Sequence, residues 1–151
     1  MRVRDILKLK GDALFSIEPQ CALADAVRQM VEHDIGSLVV MDQGRMTGLI
    51  TFREVLAALD AGGGQLGEAR VGEVMLPDPV CGSPDDTVDH MRATMTDRHI
   101  RYLPIVEAGR LLGILSFHDV ARAALTHASF ENQLLKHYIK NWPEGDATAS
   151  G

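Results

Sequence analysis

Gly48-Leu-Ile-Thr51-Phe-Arg-Glu54 returns 65 positions later as Gly113-Ile-Leu-Ser116-Phe-His-Asp119. Each copy reads as the end of an apolar strand, a hydroxyl residue where a helix N-cap belongs, and an acid one turn into the helix. Working outward in the same register, Phe52 meets Phe117, Val55 meets Val120, and Gly44-Arg45 meets Gly109-Arg110. Further upstream Leu38 meets Leu103, Ile35 meets Ile100, Met30 meets Met95 and Pro19 meets Pro84, with no gap between the first and last of these pairs. A repeat of this kind fixes the architecture before any local reading does. Two similar units that face each other leave two similar clefts, where function is sought.

The rest of each unit follows from period and punctuation. A short amphipathic segment opens it, Val3–Leu7 in the first and Val71–Met75 in the second. An extended piece follows at Leu14–Ile17 and at Val80–Gly82, stopped by Pro19 and Pro84. Leu23, Ala26, Val27, Met30 and Val31 form one helical stripe, and Val88, Met91 and Met95 form its counterpart, with Asp85 and Asp86 near the positive helix end. Ser37–Met41 and Met46–Ile50 read as a hairpin around Gln43-Gly44. Tyr102–Val106 and Leu111–Leu115 repeat it around Ala108-Gly109. The segment 61–70 carries three consecutive glycines and is expected to be a loose linker. Beyond the repeats, Phe130, Leu134, Leu135, Tyr138 and Ile139 predict a C-terminal helix over 127–143, packed on its own module or at a dimer contact, and 144–151 is expected to be a disordered tail.

Bulk properties narrow the function. The 151 residues carry a net charge of −6, with 46% hydrophobic and 24% charged side chains, an ordinary globular balance. No basic stripe is present, which argues against a nucleic-acid partner. No apolar run approaches the ~20 residues of a membrane span, and the start of the chain lacks a signal-peptide core. A cytoplasmic protein is expected. Cys21 and Cys81 fall at different repeat positions and read as free thiols, with a redox role unsupported. No phosphate loop, nucleophile elbow, CxxC or HExxH pattern occurs, so no catalytic residue, cofactor or metal ligand is expected.

The recurrent Gly-h-h-Ser/Thr-x-x-acid pattern, together with Arg101-Tyr-Leu-Pro104-Ile-Val, resembles the cystathionine-β-synthase-type (CBS) domain, and two in tandem resemble a Bateman module. The resemblance covers roughly residues 1 to 126, as repeats over 1–60 and 71–126. It implies an α/β (α+β) fold: two small sheets with helices, packed as a pseudo-two-fold module. It also implies regulation. Such modules bind adenosine-containing ligands (AMP, ADP, ATP or S-adenosylmethionine, SAM) between the repeats and report occupancy to a partner by changing shape. A homodimer and an unidentified protein partner are expected with it. Some family members bind nothing known, so a structural or interaction protein with vestigial pockets stays open.

On that footing the candidate ligand residues are Asp119, Ser116, Arg101, Ile100, Ile114, His118, Ile35, Gly36, Val80 and Cys81. The Asp119 carboxylate either accepts hydrogen bonds from the paired hydroxyls of a ribose or simply favours the positive end of its helix. Ser116 and Thr51 are caps, compatible with facing a phosphate. Arg101 either meets a phosphate or is a solvated strand-edge cation. His118 and His99 either donate to a phosphate or are exposed polar residues. Ile35, Ile100, Ile114, Pro79, Val80 and Cys81 either line an adenine slot or serve the core. A weaker second site is assigned to Thr51, Glu54, Arg53 and Ile50. There Glu54 is expected to overshoot a site built for Asp, and Gly36 replaces Arg101.

Overall fold

The computed structural model of the chain describes residues 1–11 and 13–126, together with Leu135. The helix expected over 127–143 and the tail over 144–151 lie outside the described residues, Leu135 excepted.

The first repeat contains α2 (Leu23–His33), β2 (Ser37–Asp42), β3 (Arg45–Thr51) and α3 (Phe52–Ala61), preceded by α1 (Val3–Lys10) and the short β1 (Ser16–Ile17). The second contains α4 (Val71–Val74), β4 (Leu76–Pro77), α5 (Val88–Asp97), β5 (Tyr102–Glu107) and β6 (Arg110–Ser116). A helix over residues 117–126, α6, closes it. The strands form a four-stranded sheet in the order β1-β2-β3-β4 and a two-stranded sheet β5-β6.

The repeat is visible down to single bonds. In the first hairpin Val40 pairs with Gly48, and the register shifts after Val40; in the second Ile105 pairs with Gly113, and the register shifts after Ile105. Ile17 pairs in parallel with Val40, and its counterpart Gly82 bridges in parallel to Ile105. Both hairpin turns hold two consecutive residues at positive φ, Gln43 and Gly44 at 50° and 80°, Ala108 and Gly109 at 51° and 77°. That conformation matches the right-handed twist of the flanking strands.

The opening segments do not stay with their own repeats. Val3 and Ile6 of α1 are buried in the core of the second repeat, with Val88, Met91, Met95 and Leu103. Val71 of α4 is buried in the core of the first, with Leu23, Met30, Leu38 and Ile50. The bonding is reciprocal: Val3 and Arg4 amides donate to the carbonyls of Asp86 and Pro84, while Val71 and Gly72 amides donate to those of Cys21 and Pro19. Arg4 adds ion pairs to Asp85 and Glu107 at 3.1 and 2.9 Å.

The motif glycines make room for this exchange. A Cβ on Gly48 would approach the Leu76 carbonyl to 2.8 Å as well as striking Met75, and one on Gly113 would sit 3.1 Å from Leu7. Neither glycine has a positive φ; the absent side chain is needed for close approach.

The linker differs from expectation. Gly62 and Gly64 amides donate back to Ala58 and Leu59, Ala69 donates to Leu66, and the Ala69 carbonyl accepts from Leu23. Leu66 and Ala69 pack against the first core. The segment is a bonded series of turns rather than a loose tether, because its apolar residues have a core to join.

Candidate functional site

Ser116 ends β6 and caps α6. Its hydroxyl accepts from the Asp119 amide at 3.0 Å, and the Asp119 carboxylate accepts from the Ser116 amide at 2.9 Å. This reciprocal pair satisfies two helix-end donors at once. The first repeat builds the same box: Glu54 accepts from the Thr51 amide at 2.8 Å and from its hydroxyl at 2.6 Å, and the Thr51 hydroxyl accepts from the Arg53 amide. Glu54 therefore does not overshoot into a cleft. Its extra methylene is taken up by curling back on Thr51.

Asp119 has a further partner that lies 109 positions away. Lys10, the last residue of α1, places Nζ 2.7 Å from Asp119 Oδ2 and 2.7 Å from the Ile114 carbonyl oxygen. Oδ2 thus takes both the Ser116 amide and the lysine. Partial burial pushes the Asp119 carboxyl up, but the Lys10 bond, the Ser116 amide and the lysine charge outweigh it. The net position is below the ordinary 3.8, and the group is ionised at neutral pH. Neither sequence reading of Asp119, as a ribose acceptor or as a charge favouring its helix end, included this partner: α1, exchanged from the other end of the chain, brings it a cation.

Two cavities sit at equivalent places in the two repeats. One, of about 690 Å³, is lined by Ile100, Arg101, Ser116 and His118, with His99 and Tyr102. Its counterpart, of about 290 Å³, is lined by Ile35, Phe52, Met30 and Asp34 among others. Among the described residues, the larger is lined by an arginine and two histidines with no carboxylate, and the smaller by one aspartate and no base. Arg101, Ser116, Ile100, His118 and His99 are thus brought together. Asp119 lines neither cavity; its side chain is turned towards α1.

The adenine-slot expectation is not met as drawn. Ile35 belongs to the smaller cavity. Ile114 meets Lys10 through its carbonyl. Val80 and Cys81 are exposed and line neither cavity, because the segment 79–81 stands outside both. The Cys81 thiol donates to the Pro79 carbonyl, and desolvation pushes it up, so it is a thiol at neutral pH. Ile50 is fully buried in the first core and presents nothing to a ligand. Gly36, read as a lost basic group, is sterically required: a side chain there would strike the Tyr102 phenol and the Phe52 ring. Burial pushes the Tyr102 phenol up, with Arg101 opposing and Asp119 adding.

Lys10 and Tyr102 were missed by sequence reasoning. Nothing local marks Lys10 beyond its place at the C-terminal end of a helix, where a cation is favoured anyway. Tyr102 could have been noticed, since it faces a serine in the repeat register and pairs with the substitution of Arg by Gly at 36.

Both repeats match the CBS domain family, over residues 3–61 and 71–126. The chain belongs to the CBS-domain family. It is 30% identical over 126 residues to the CBS domain-containing protein YhcV of Bacillus subtilis, covering 78% of this chain and 89% of that one. The crystal structure of a CBS-domain protein from Agrobacterium tumefaciens superposes with a TM-score of 0.77 at 32% identity, covering 82% of this chain and 99% of the other. The fold is also that of CBSX2, crystallised in complex with AMP, at 24% identity and a TM-score of 0.70, over 83% of this chain and 97% of that one. Among the described residues of this CBS-domain pair, no helix is long and apolar enough to cross a membrane.

Proposed function

We propose that this CBS-domain pair is a non-catalytic regulatory module. It binds an adenine nucleotide or related adenosyl compound (AMP, ADP, ATP or SAM) at the head of α6 and reports occupancy to a protein partner by a change of shape. One observation carries the reading: the larger cavity at the head of α6 gathers Arg101, His99 and His118 beside Ser116, donors suited to a negatively charged group. A ligand that engages Asp119 acts directly on a helix docked across the molecule. Occupancy can move the equilibrium only as far as the ligand prefers one arrangement, and the Lys10 link supplies such a difference. The larger cavity, with Arg101, His99 and His118, is the place for negative charge beside it.

The same reading includes a homodimer, supported by the exposed apolar side chains Val31, Phe52, Leu56 and Phe117 on α2, α3 and α6. Its proposed setting is the cytoplasm, where Cys21 and Cys81 would stay reduced.

A second reading, an interaction module with vestigial pockets, has one observation in its favour. Asp119 is already satisfied internally and lines neither cavity. Thermal denaturation with AMP, ADP, ATP and SAM separates the two, since a ligand at 100 times its Kd adds about 2.7 kcal/mol of stability. A shift with at least one compound, lost in Asp119→Ala and largely kept in Glu54→Ala, is the expected result. No shift with any compound favours the interaction module.

A further inference from the structure

We propose that two copies of this chain associate antiparallel, the α2/α3 face of each first repeat seating on the α5/α6 face of the other copy's second repeat about a two-fold axis. The inference rests on the homodimer above and fixes its orientation. Asp34 and His99 lie 65 positions apart, just past α2 and α5, with φ of 52° and 55°, and each lines its own repeat's cavity. The backbone place is the same and the charge is reversed. Gly36 and Arg101 differ in the same sense, and Arg101 lines the larger cavity. Arg53, the counterpart of His118, lies outside the smaller one.

Shape follows charge. Val31, Phe52 and Leu56 stand 74%, 54% and 64% exposed on the first face. At the positions of Val31 and Leu56 the second face has Thr96 and Ala121, both of which line the larger cavity. One face is bulky, apolar and acidic beside a cavity of about 290 Å³; the other is recessed and basic around about 690 Å³. A parallel pairing sets Asp34 towards Asp34, the bases of the second face towards one another, and recess against recess. The antiparallel pairing sets Asp34 towards the partner's His99 and Leu56 towards the partner's Ala121, twice by symmetry. It covers the exposed apolar side chains and matches the charges. The recess is far larger than a leucine side chain, so the contact leaves room for a ligand.

The experiment is sedimentation equilibrium of the full chain over a dilution series at pH 6, where imidazole is largely protonated. The samples are the parent, Asp34→Asn, Asp34→His, His99→Asp, and the last two combined. Both exchanged residue types already occupy this left-handed place in the chain, so the fold is kept. Asp34→Asn is expected to weaken the dimer by about two- to thirtyfold, the worth of two exposed ion pairs. Each exchange alone should weaken it, and the two together should bring it back. A dimer that is unchanged or tighter in Asp34→Asn, or that the combined exchange does not restore, overturns the antiparallel contact and leaves the homodimer standing. A parent of single mass at every concentration removes both.

Discussion

At the scale of single residues, Asp119 serves three groups: it caps α6, holds Ser116 in place and neutralises Lys10. Its carboxyl lies below the ordinary 3.8, so the stabilisation is present above about pH 4 and is lost as pH falls through the lowered folded value. Removing the lysine takes away a cause of the lowering. Lys10→Met is expected to move the midpoint of acid unfolding to higher pH, followed by circular dichroism, with little change at pH 7 beyond the lost pair. The pattern Ser-x-x-Asp was legible because a helix-start box is a local device, four residues long. Lys10 was not, because its partner is in the other half of the chain and no short-range pattern links them. The Glu54 misreading has the same root. Counting methylenes predicts reach, whereas the backbone amide and hydroxyl of Thr51 decide where the reach is spent.

At the scale of elements, the hairpins were read correctly from apolar runs around Gln43-Gly44 and Ala108-Gly109, and their turns explain one local weakness. Ala108 has φ of 51°, a left-handed conformation that costs a Cβ-bearing residue about 1–2 kcal/mol. Replacement by Asn or Gly is expected to raise stability by about 0.5–1 kcal/mol in urea titration with the m-value unchanged. Helix starts were equally legible at Thr51 and Ser116, whose hydroxyls each accept an amide of the first turn; Thr87, which caps α5 in the same way, was passed over in favour of Asp85 and Asp86. Thr51→Ala should cost about 1 kcal/mol, with the Glu54 carboxylate losing its hydroxyl partner as well. The destinations of α1 and α4 were not legible. An amphipathic stripe says that a face is buried and does not say against which of two near-identical cores.

At the scale of the whole molecule, the exchange makes two cores interdependent. Ile6 lies in the second core although it precedes the first, so Ile6→Ala should cost about 2–5 kcal/mol and destabilise the repeat from which it is remote in sequence. Thermal unfolding of that variant, read by hydrogen exchange at α5 and β5 as well as at α2 and β2, should show both halves losing protection together. The exposed apolar faces belong to this scale too. On the proposed homodimer, light scattering of the parent should give twice the chain mass and Phe52→Asp the single mass with the fold intact, since Phe52 is 54% exposed; a parent of single mass overturns the dimer.

Duplication commonly yields two parts that can drift, be lost or be inherited separately. Here each copy has lent its first helix to its sibling, so neither is a self-sufficient unit of heredity. A protease that nicks the chain at Gly63-Gly64 should leave two fragments that co-elute until denaturant parts them. Selection on this chain acts on the pair, and a change tolerated in one copy is judged by what it does to the other.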